Sequence, residues 1–513
     1  MFSNIISAGI IGVSSFLVQV ETDLSTGMPC FEMVGMAGSS VKEARERVKV
    51  ALKNNGFHLP PVHITVNLSP ADVRKDSTAY DLPIAIGLLQ AMEEIPPEST
   101  EGTLIAGELG LDGEIKSVKG ILPMVMEACK RGIRRCIIPE ANLKEGAVVK
   151  GMQVYGASTV GEVLAFLKGD PEAALKTEQI DVEALLQTRS DGEDDFKDVK
   201  GQEVLRRVSL IAAAGFHHFL MIGAPGAGKT MIARRIPSIL PELTPEECLE
   251  VSSVYSVAGK LKGEGGLVTR RPFLSPHHTI SEKALTGGGN VPKPGVISLA
   301  HRGVLFLDEL PEYKRQTIDL LRQPLEDKEI QIVRMGGNYV YPTDFLLVCA
   351  MNPCPCGYFP DRNKCRCSDN EIRKYLGRIS GPILDRIDMV TSAPKVEFDQ
   401  LQGAGGGESS ETMREKIGVA RKMQKRRYAR TKIRFNSELS AQQLKRYCTL
   451  GETEEKCARD LYESMDLSAR GYHRLLRVAR TIADLEEQEQ IRTEHLLEAA
   501  LYRRADETYW GMQ

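Results

Sequence analysis

The sequence predicts a multidomain α/β protein with an α+β N-terminal domain, a core built on a parallel sheet, and a helical C-terminal lid. Three observations support this fold class. A complete G-x-x-x-x-G-K-[ST] motif stands between a short apolar run and an amphipathic run, as a strand–loop–helix unit requires. Strand-like and helix-like patterns alternate on both sides of that motif. Residues 413–513, by contrast, carry almost no strand pattern.

Composition narrows the class of protein further. The chain has 513 residues, which is too long for one hydrophobic core, and its net charge of −3 means that any basic surface must be local. The eleven cysteines do not suggest a disulfide framework, because four of them crowd into residues 354–367. The N-terminus lacks a basic start, and no apolar run reaches the length of a membrane span. We therefore expect a cytoplasmic protein without a membrane segment.

The N-terminal domain is expected over residues 1–168. Its periodicity predicts two strands and two helices, over residues 62–68 and 136–138 and over residues 41–52 and 81–92 respectively. Two breaks in composition then predict linkers. The first is acidic and weakly apolar (169–196), and the second is rich in glycine (396–412). They delimit the core at residues 197–395 and leave residues 413–513 as the lid.

The glycine-rich motif predicts a phosphate-binding loop. Glycines let several backbone N–H groups point at one phosphate, and the following helix adds its positive end. Lys229 would reach the β- and γ-phosphates of ATP, and the Thr230 hydroxyl would ligate Mg²⁺. A plain glycine-rich turn is the alternative, disfavoured because every motif position is filled. The motif consists of Gly223, Ala224, Pro225, Gly226, Ala227, Gly228, Lys229 and Thr230.

An apolar strand ending in two carboxylates follows about 80 residues later. Residues 303–307 precede Asp308, which would hold Mg²⁺ through water, and Glu309, which would polarise the attacking water. Taken alone, the pattern also fits a buried strand followed by a helix-capping acid. The phosphate loop upstream favours the catalytic interpretation.

Shorter segments resemble motifs of the AAA+ ATPases, in the order that this class shows. An apolar strand ending at Asn352 resembles sensor 1, and residues 383–388 resemble the arginine-finger segment, with Arg386 as the finger and Arg378 as the alternative. Arg470 resembles sensor 2, with Arg474 as the alternative. Val199, Gly201 and Gln202 match the segment that lines the adenine pocket. Because a finger acts on a neighbour's nucleotide, the resemblance implies a ring, with a homo-hexamer as the usual count.

Two insertions point to DNA as the partner. Residues 249–300 resemble the helix-2-insert branch of AAA+ proteins and include Lys293. Residues 329–341 predict a β-hairpin with Arg334 near its tip. Cations there could follow a phosphate backbone, although an incidental surface hairpin remains the alternative. The basic run 421–434, with Arg426 and Arg427, suggests a further contact or a solvated helix.

Four cysteines in two C-x-C pairs predict a closed Zn²⁺ site: Cys354, Cys356, Cys365 and Cys367. An iron–sulfur cluster and unliganded or redox thiols are the alternatives. The same region of the core contains a histidine pair, His277 and His278. These side chains could ligate a metal, but structural hydrogen bonding is the favoured interpretation.

The N-terminal domain resembles the Lon-type protease domain in its segments at 75–81, 107–114 and 139–142. At the positions of the family's serine and lysine stand Ala79 and Leu122, neither of which supplies a nucleophile or a base. Only a shifted register involving the nearby Ser77, Lys116 and Lys119 would restore a dyad. A non-proteolytic scaffold is therefore expected.

Taken together, these features resemble the YifB/ComM family of magnesium-chelatase-like ATPases over nearly the whole chain. The most specific segment runs from Ser275 to Glu312. The resemblance implies an ATP-dependent, hexameric DNA motor, with branched or single-stranded DNA as substrate, linked to branch migration in recombination and natural transformation. Two alternatives are a magnesium-chelatase-like motor that remodels a protein partner and an ATP-dependent protease, the latter opposed by Ala79 and Leu122.

Overall fold

The computed structural model describes residues 1–187, 194–261, 264–334, 337–395 and 407–510. Most of the predicted glycine-rich linker, residues 396–406, and the turn of the predicted hairpin, residues 335–336, lie outside the described residues. None of the helices in the described ranges combines the length and the apolar character needed to cross a membrane.

The N-terminal part is a mixed eight-stranded sheet with helices packed on it. In spatial order its strands are Lys176–Thr177, Gln153–Ala157, Arg135–Pro139, Thr103–Ile105, Phe2–Ile11, Ser14–Ser25, His63–Ser69 and Cys30–Val34. A separate strand pair is Glu108–Leu109 with Ile115–Lys116. The helices are Ser39–Asn54, Asp81–Ala91, Ile121–Lys130, Leu143–Ala147, Val160–Leu167 and Val182–Gln187. The two strands and two helices predicted from periodicity are all present, and no end differs from its predicted position by more than two residues.

The predicted acidic linker is structured over its first part. Strand Lys176–Thr177 pairs antiparallel with Gln153–Ala157 and extends the sheet edge, and helix Val182–Gln187 follows it. Leu175 and Val182 are buried, so a few apolar positions dock this acidic segment on the N-terminal core. Composition predicted a linker here because those positions are sparse. Residues 188–193, within the same predicted linker, lie outside the described part of the chain.

The core is a five-stranded parallel sheet. In spatial order its strands are Phe273–Leu274, Val304–Leu307, Leu346–Met351, Phe219–Gly223 and Met389–Ala393. Its helices are Glu203–Gly215, Lys229–Ile239, Pro245–Ala258, Glu282–Thr286, Val296–Leu299, Arg315–Asp319, Arg322–Asp327, Asp369–Leu376 and Gly381–Leu384. The central strands are buried, as the apolar runs predict, and all carboxyl ends lie at one edge of the sheet.

Two antiparallel hairpins extend from this core. The insert hairpin pairs Gly287–Gly288 with Lys293–Pro294, and the second hairpin pairs Glu329–Arg334 with Gly337–Pro342. The second hairpin also touches the N-terminal sheet, since Val13 packs against the small cluster of Ile330, Ile332 and Tyr341.

The C-terminal part is helical in its described residues, as predicted, and shares one apolar core with the parallel sheet. Its helices are Ser410–Arg427, Ala441–Tyr447, Glu452–Ser464, Ala469–Leu485 and Thr493–Trp510. Buried side chains such as Leu475 and Ile482 repeat at helical spacing and pack toward Phe219 and Val348. A parallel α/β sheet followed by helices fits the AAA+ class.

The N-terminal part is anchored directly to the core. Cys248 and Val251, on helix Pro245–Ala258, share one apolar cluster with Leu122 and Val125 of the N-terminal part. The Ser256 hydroxyl donates a hydrogen bond to the buried carboxylate of Glu145, and the Leu122 N–H donates to the same group at 2.9 Å. The two parts are therefore joined by a packed interface as well as by the chain.

Candidate nucleotide site and nucleic-acid surface

The predicted phosphate loop lies at the carboxyl end of the central strand Phe219–Gly223. Gly226 and Gly228 have φ values of +79° and +78°, a conformation that favours glycine. Gly223 is required for a different reason, because a Cβ there would come within 2.3 Å of the Ala393 carbonyl oxygen. Helix Lys229–Ile239 begins immediately after Gly228 and points its N-terminus into the loop. The backbone is thus arranged to receive an anion.

Lys229 occupies the centre of this loop. Its Nζ donates to the carbonyls of Gly223 at 2.6 Å and Ala224 at 3.1 Å and to Asn352 Oδ1 at 3.2 Å. Burial lowers the pKa of the Lys229 ammonium, and the nearby Asp308 and Glu309 oppose that effect. The structure therefore brings the predicted phosphate-binding lysine and the predicted sensor amide into contact.

The predicted Mg²⁺ ligands also lie together. Thr230 Oγ1 donates to Asp308 Oδ2 at 2.7 Å, and the Glu309 N–H donates to Asp308 Oδ1 at 3.0 Å. Hydroxyl, carboxylate and water oxygens are the ligands that Mg²⁺ prefers. Glu309 itself has φ +50° and ψ +50°, a left-handed conformation that is uncommon for a glutamate and is found at functional sites. Its side chain is 57% exposed.

The predicted adenine segment lies against the loop. Val199 is fully buried, Gly201 has a positive φ, and Gln202 is buried with φ +57°. Gln202 Nε2 donates to the carbonyls of Ala227 at 2.9 Å and Pro394 at 2.6 Å. Gln202 thus fastens the phosphate loop to the end of the last core strand, a role that the sequence did not predict.

Arg386 and Arg470 lie elsewhere. Both line a cavity of about 410 Å³ that also contains Arg474 and Arg477. Arg386 precedes strand Met389–Ala393, whose Met389 pairs with Phe219, the first residue of the phosphate-loop strand. The cavity is therefore at the amino-end edge of the sheet, and a five-residue strand, roughly 15 Å long, separates it from the chain's own phosphate loop.

The predicted finger and the two candidates for sensor 2 differ in their contacts and in their exposure. Arg386 donates to the Pro382 carbonyl at 2.6 Å and pairs with the half-exposed Glu326 at 2.5 Å, whereas Arg470 is exposed. The alternative sensor, Arg474, is buried and donates to the carbonyls of Leu384 and Ile387, both at 3.1 Å, so it fastens the finger segment.

The alternative finger, Arg378, lies at another surface. It pairs with Glu312 at 3.1 Å, and the two side chains are each about half exposed. It lines a shallow groove with Tyr313 and Arg315 that does not include Arg386.

The four predicted zinc ligands converge. The Sγ atom of Cys354 lies 3.3 Å from Cys356 and 3.7 Å from Cys365, the latter two are 3.6 Å apart, and all four thiols, including Cys367, lie within 4.8 Å of one another. A tetrahedral Zn²⁺ site with Zn–S bonds of about 2.3 Å needs S···S separations of roughly 3.8 Å. The four thiols therefore fit zinc.

This cysteine loop also touches the phosphate loop. The backbone of Gly357, with φ +86°, packs so closely that a Cβ there would lie 2.5 Å from Pro225 Cδ. The loop begins two residues after Asn352, and its Phe359 ring meets Tyr509 of the last helix edge to face at 6.1 Å. It thus joins the phosphate loop, the sensor strand and the lid.

The two hairpins form one surface, here called the hairpin surface, made of Val291, Lys293, Val333 and Arg334. The Tyr341 hydroxyl donates to the Pro292 carbonyl at 2.7 Å and ties the hairpins together. Lys293 and Arg334 are exposed, and so are the valines, by 46% for Val291 and 68% for Val333. Exposed cations at this place suit the phosphates of a nucleic-acid backbone.

Three of the eight cations in the basic run 421–434 make structural contacts, and Arg427 is one of them, which corrects the prediction for that residue. The two terminal nitrogens of Arg427 donate to the carboxylate of the wholly buried Asp484, at 2.8 and 2.5 Å. Arg421 lies 3.8 Å over the Phe435 ring, and Arg434 pairs with Glu247 and Asp344. The sequence suggested free cations because the matching acids lie in distant segments. Arg426, by contrast, is 85% exposed.

The two positions that were compared with the Lon-type dyad carry apolar side chains. Ala79 and Leu122 are fully buried in one apolar cluster. The Ser77 hydroxyl accepts a hydrogen bond from the Ala79 N–H at 3.2 Å, while Lys116 and Lys119 are exposed.

Comparison with known proteins gives consistent matches along the chain. Three family models match: "Subunit ChlI of Mg-chelatase" over residues 20–142, "Magnesium chelatase, subunit ChlI" over 195–401, and "Magnesium chelatase, subunit ChlI C-terminal" over 407–503.

Among curated relatives, "Competence protein ComM" of Haemophilus influenzae is 41% identical over 96% of this chain and 95% of its own length. "Uncharacterized protein YifB" of Salmonella typhimurium is 40% identical over 97% and 96%. "DNA repair protein RadA" of Bacillus subtilis is 31% identical over 31% of this chain and 34% of its own length.

These matches and the parallel sheet indicate an AAA+ ATPase that uses ATP and Mg²⁺. The matches to ComM and to YifB cover nearly the full length of the chain and therefore include all three of its parts. The chain belongs to the YifB/ComM family of magnesium-chelatase-like proteins.

Proposed function

We propose that the protein is an ATP-driven, ring-forming DNA motor, related to helicases, that promotes branch migration in recombination or natural transformation. The observation that carries the proposal is the division of the catalytic residues between two edges of one sheet. Lys229, Asp308, Glu309 and Asn352 lie at the carboxyl edge, whereas Arg386 lies at the amino edge. A complete site therefore needs two chains, which a closed ring supplies, and we infer a homo-hexamer.

At each interface between two chains, residues of both chains contribute to the site and have different roles. The phosphate loop and Lys229 bind and orient the triphosphate, and Thr230 and Asp308 would hold Mg²⁺. Glu309 takes the proton of the attacking water, and Asn352 orients that water. Arg386 and Arg470 of an adjacent chain neutralise the charge that develops on the transferred phosphate.

DNA is the proposed substrate because of the hairpin surface. Lys293 and Arg334 present charge beside exposed Val291 and Val333, and the hairpins that carry them begin in the ATPase core. The names of two relatives, a competence protein and a DNA repair protein, support the same substrate. Branched or single-stranded DNA fits a motor of this kind. The exposed Arg426 would add a contact to DNA outside the hairpin surface.

The second candidate is a magnesium-chelatase-like ATPase that remodels a protein partner. The match of all three ChlI models favours it. Under this alternative the exposed valines of the hairpin surface would contact a polypeptide. Protease activity is not proposed, because Ala79 and Leu122 replace the Lon-type dyad.

The proposed function predicts that DNA stimulates ATP hydrolysis. We expect the rate to rise with single-stranded or branched DNA. Lys293→Ala with Arg334→Ala should weaken DNA binding and reduce its salt dependence by about one unit per lost phosphate contact. The measurement is steady-state ATPase over a panel of DNA structures, together with binding at several salt concentrations. Arg459→Ala, an exposed cation on helix Glu452–Ser464, is the matched control. A wild-type rate unchanged by every DNA would favour the protein-remodelling alternative.

The cysteine cluster predicts about one tightly bound zinc per chain. We expect Cys365→Ser with Cys367→Ser to lose the metal and to weaken nucleotide binding, because the cysteine loop packs on Pro225. Elemental analysis and the affinity for a fluorescent ATP analogue measure the two effects. Cys457→Ser, in the lid, is the control. Purified wild-type protein with well under one zinc per chain would contradict the assignment, and visible absorbance with bound iron would indicate a cluster instead.

A further inference from the structure

The N-terminal part contacts the rest of the chain at more than one place. The predicted nucleotide site and the hairpin surface contain residues of the ATPase core and the lid only, so neither assigns this part a role. One of its contacts is with helix Pro245–Ala258 of the core. Another is with the second hairpin, which pairs Glu329–Arg334 with Gly337–Pro342. This second contact therefore reaches the element that carries Arg334.

The contact with the hairpin is made by a two-residue turn, formed by Gly12 and Val13, between the first two strands of the N-terminal sheet. We call it the N-terminal turn. Gly12 has φ +65°, and a Cβ there would lie 2.5 Å from the carbonyl oxygen of Val340 and 2.9 Å from its nitrogen. Both the conformation and the space therefore require glycine. The backbone of the turn lies directly against the backbone of the hairpin.

Val13 covers the apolar face of the same hairpin. On that face Ile330 lies opposite Tyr341 in the paired strand, and Ile332 lies opposite Tyr339 in the same way. Both isoleucines are 8% exposed and Tyr341 is fully buried. Val13 packs against this cluster. Because a lone two-stranded hairpin is only marginally stable in water, its order depends on such a cover.

The N-terminal turn is also connected to the contact with the core helix. The Gly120 N–H donates to the Ser256 carbonyl of that helix at 3.3 Å. A Cβ at Gly120 would lie 2.9 Å from Ile10 Cγ1, so the strand that leads into the turn packs on this contact. Ile10 stands two residues before Gly12. A short path of direct contacts thus runs from the core helix, through the N-terminal sheet, to the hairpin.

The turn acts close to a cation of the hairpin surface. Ile332, which Val13 helps to cover, is two residues before Arg334 on one strand, a separation of roughly 7 Å. A hairpin held in one orientation moves as a unit with the core that carries it. A loosely held hairpin would instead rotate about its root, and a movement of the core would not displace Arg334 by the same amount.

We propose that the N-terminal part is a brace for the second hairpin, and that this brace passes movements of the ATPase core to bound DNA. The bracing step concerns contacts within the chain alone, whereas the use of the brace in DNA movement rests on the proposed function. Gly12 and Val13 are positioning residues, because they act through the hairpin and lie outside the predicted nucleotide site.

The first test measures the order of the hairpin by amide hydrogen exchange in full-length protein. Gly12→Ala pushes a methyl group against Val340, and Val13→Ser removes the apolar cover, so we expect exchange in the two hairpin strands to become about tenfold faster. Val13→Ile keeps the cover and should exchange as the wild type does. Gly102→Ala is the matched control, since Gly102 has φ +63° but a Cβ there would meet no atom of the described residues within 4 Å. Exchange in strand Thr103–Ile105 should stay constant throughout.

The second test measures coupling to DNA. In every variant the DNA-free kcat and the KM for ATP should stay within about twofold of the wild type, because the nucleotide site is untouched. Strand displacement per ATP hydrolysed, on single-stranded and branched DNA substrates, should fall about fivefold or more in Gly12→Ala and Val13→Ser. Val13→Ile and Gly102→Ala should keep the wild-type yield.

The outcomes decide the two steps independently. Wild-type exchange of the hairpin in both Gly12→Ala and Val13→Ser overturns the bracing step. Faster exchange combined with a wild-type yield of displacement per ATP shows that the brace does not serve DNA movement, and a joint change supports both steps. If the wild-type protein neither responds to any DNA nor displaces a strand, the proposed function fails and takes the DNA step with it, whereas hydrogen exchange still decides the bracing step.

Discussion

Replacing Lys229 with alanine is expected to abolish ATP turnover by removing the cation at the centre of the phosphate loop. Its Nζ is held by two loop carbonyls and by Asn352, the positions that a bound phosphate would adjoin. Removal of one preorganised charged donor costs about a hundredfold or more in a phosphoryl-transfer site. Binding of a fluorescent ATP analogue and steady-state phosphate release measure the loss.

The Lys229→Ala protein should stay folded, because the ammonium is partly desolvated and its burial lowers its pKa. An unchanged thermal midpoint without nucleotide would verify this, and the variant should gain no stability from added Mg-ATP. Arg234→Ala, exposed on the same helix, controls for loss of a cation. Retained turnover in Lys229→Ala would contradict the assignment of the loop.

Replacing Arg386 with alanine is expected to stop hydrolysis while ATP binding persists. The residue lies at the amino edge of the sheet, away from its own chain's phosphate loop, so under the proposed ring it would act on the nucleotide of a neighbouring chain. Fingers of this kind contribute about 10³ to 10⁵ in kcat. The measurement compares single-turnover hydrolysis with nucleotide affinity. Arg378→Ala, which removes the surface pair with Glu312, is the matched control and should hydrolyse ATP normally. If Arg378→Ala stops hydrolysis and Arg386→Ala does not, Arg378 is the finger.

The predicted site residues that the structure brings together share one physical origin. Lys229, Asp308 and Asn352 each follow an apolar strand, and parallel strands bring their carboxyl ends to one edge. Local patterns therefore sufficed for residues that lie far apart in the chain. The four cysteines were predictable for a similar reason, since a fourteen-residue segment contains all of them.

Residues whose role depends on distant partners were harder to predict. Arg427 looked free because Asp484, its buried partner, lies 57 residues later. The docking of Leu175 and Val182 was hidden by the acidic composition around them. His278 could be placed beside Glu309 only once the register of two strands was known. In each case the missing information was a tertiary contact.

If each nucleotide site is completed by a residue from a second chain, a mixing experiment should show it most directly. Glu309→Gln and Arg386→Ala proteins should each be inactive alone. In a ring assembled at random from equal amounts, about a quarter of the interfaces would pair an intact Glu309 with an intact Arg386. We therefore expect the mixture to recover about a quarter of the wild-type ATPase rate. A mixture that assembles but stays inactive at every ratio would contradict the account.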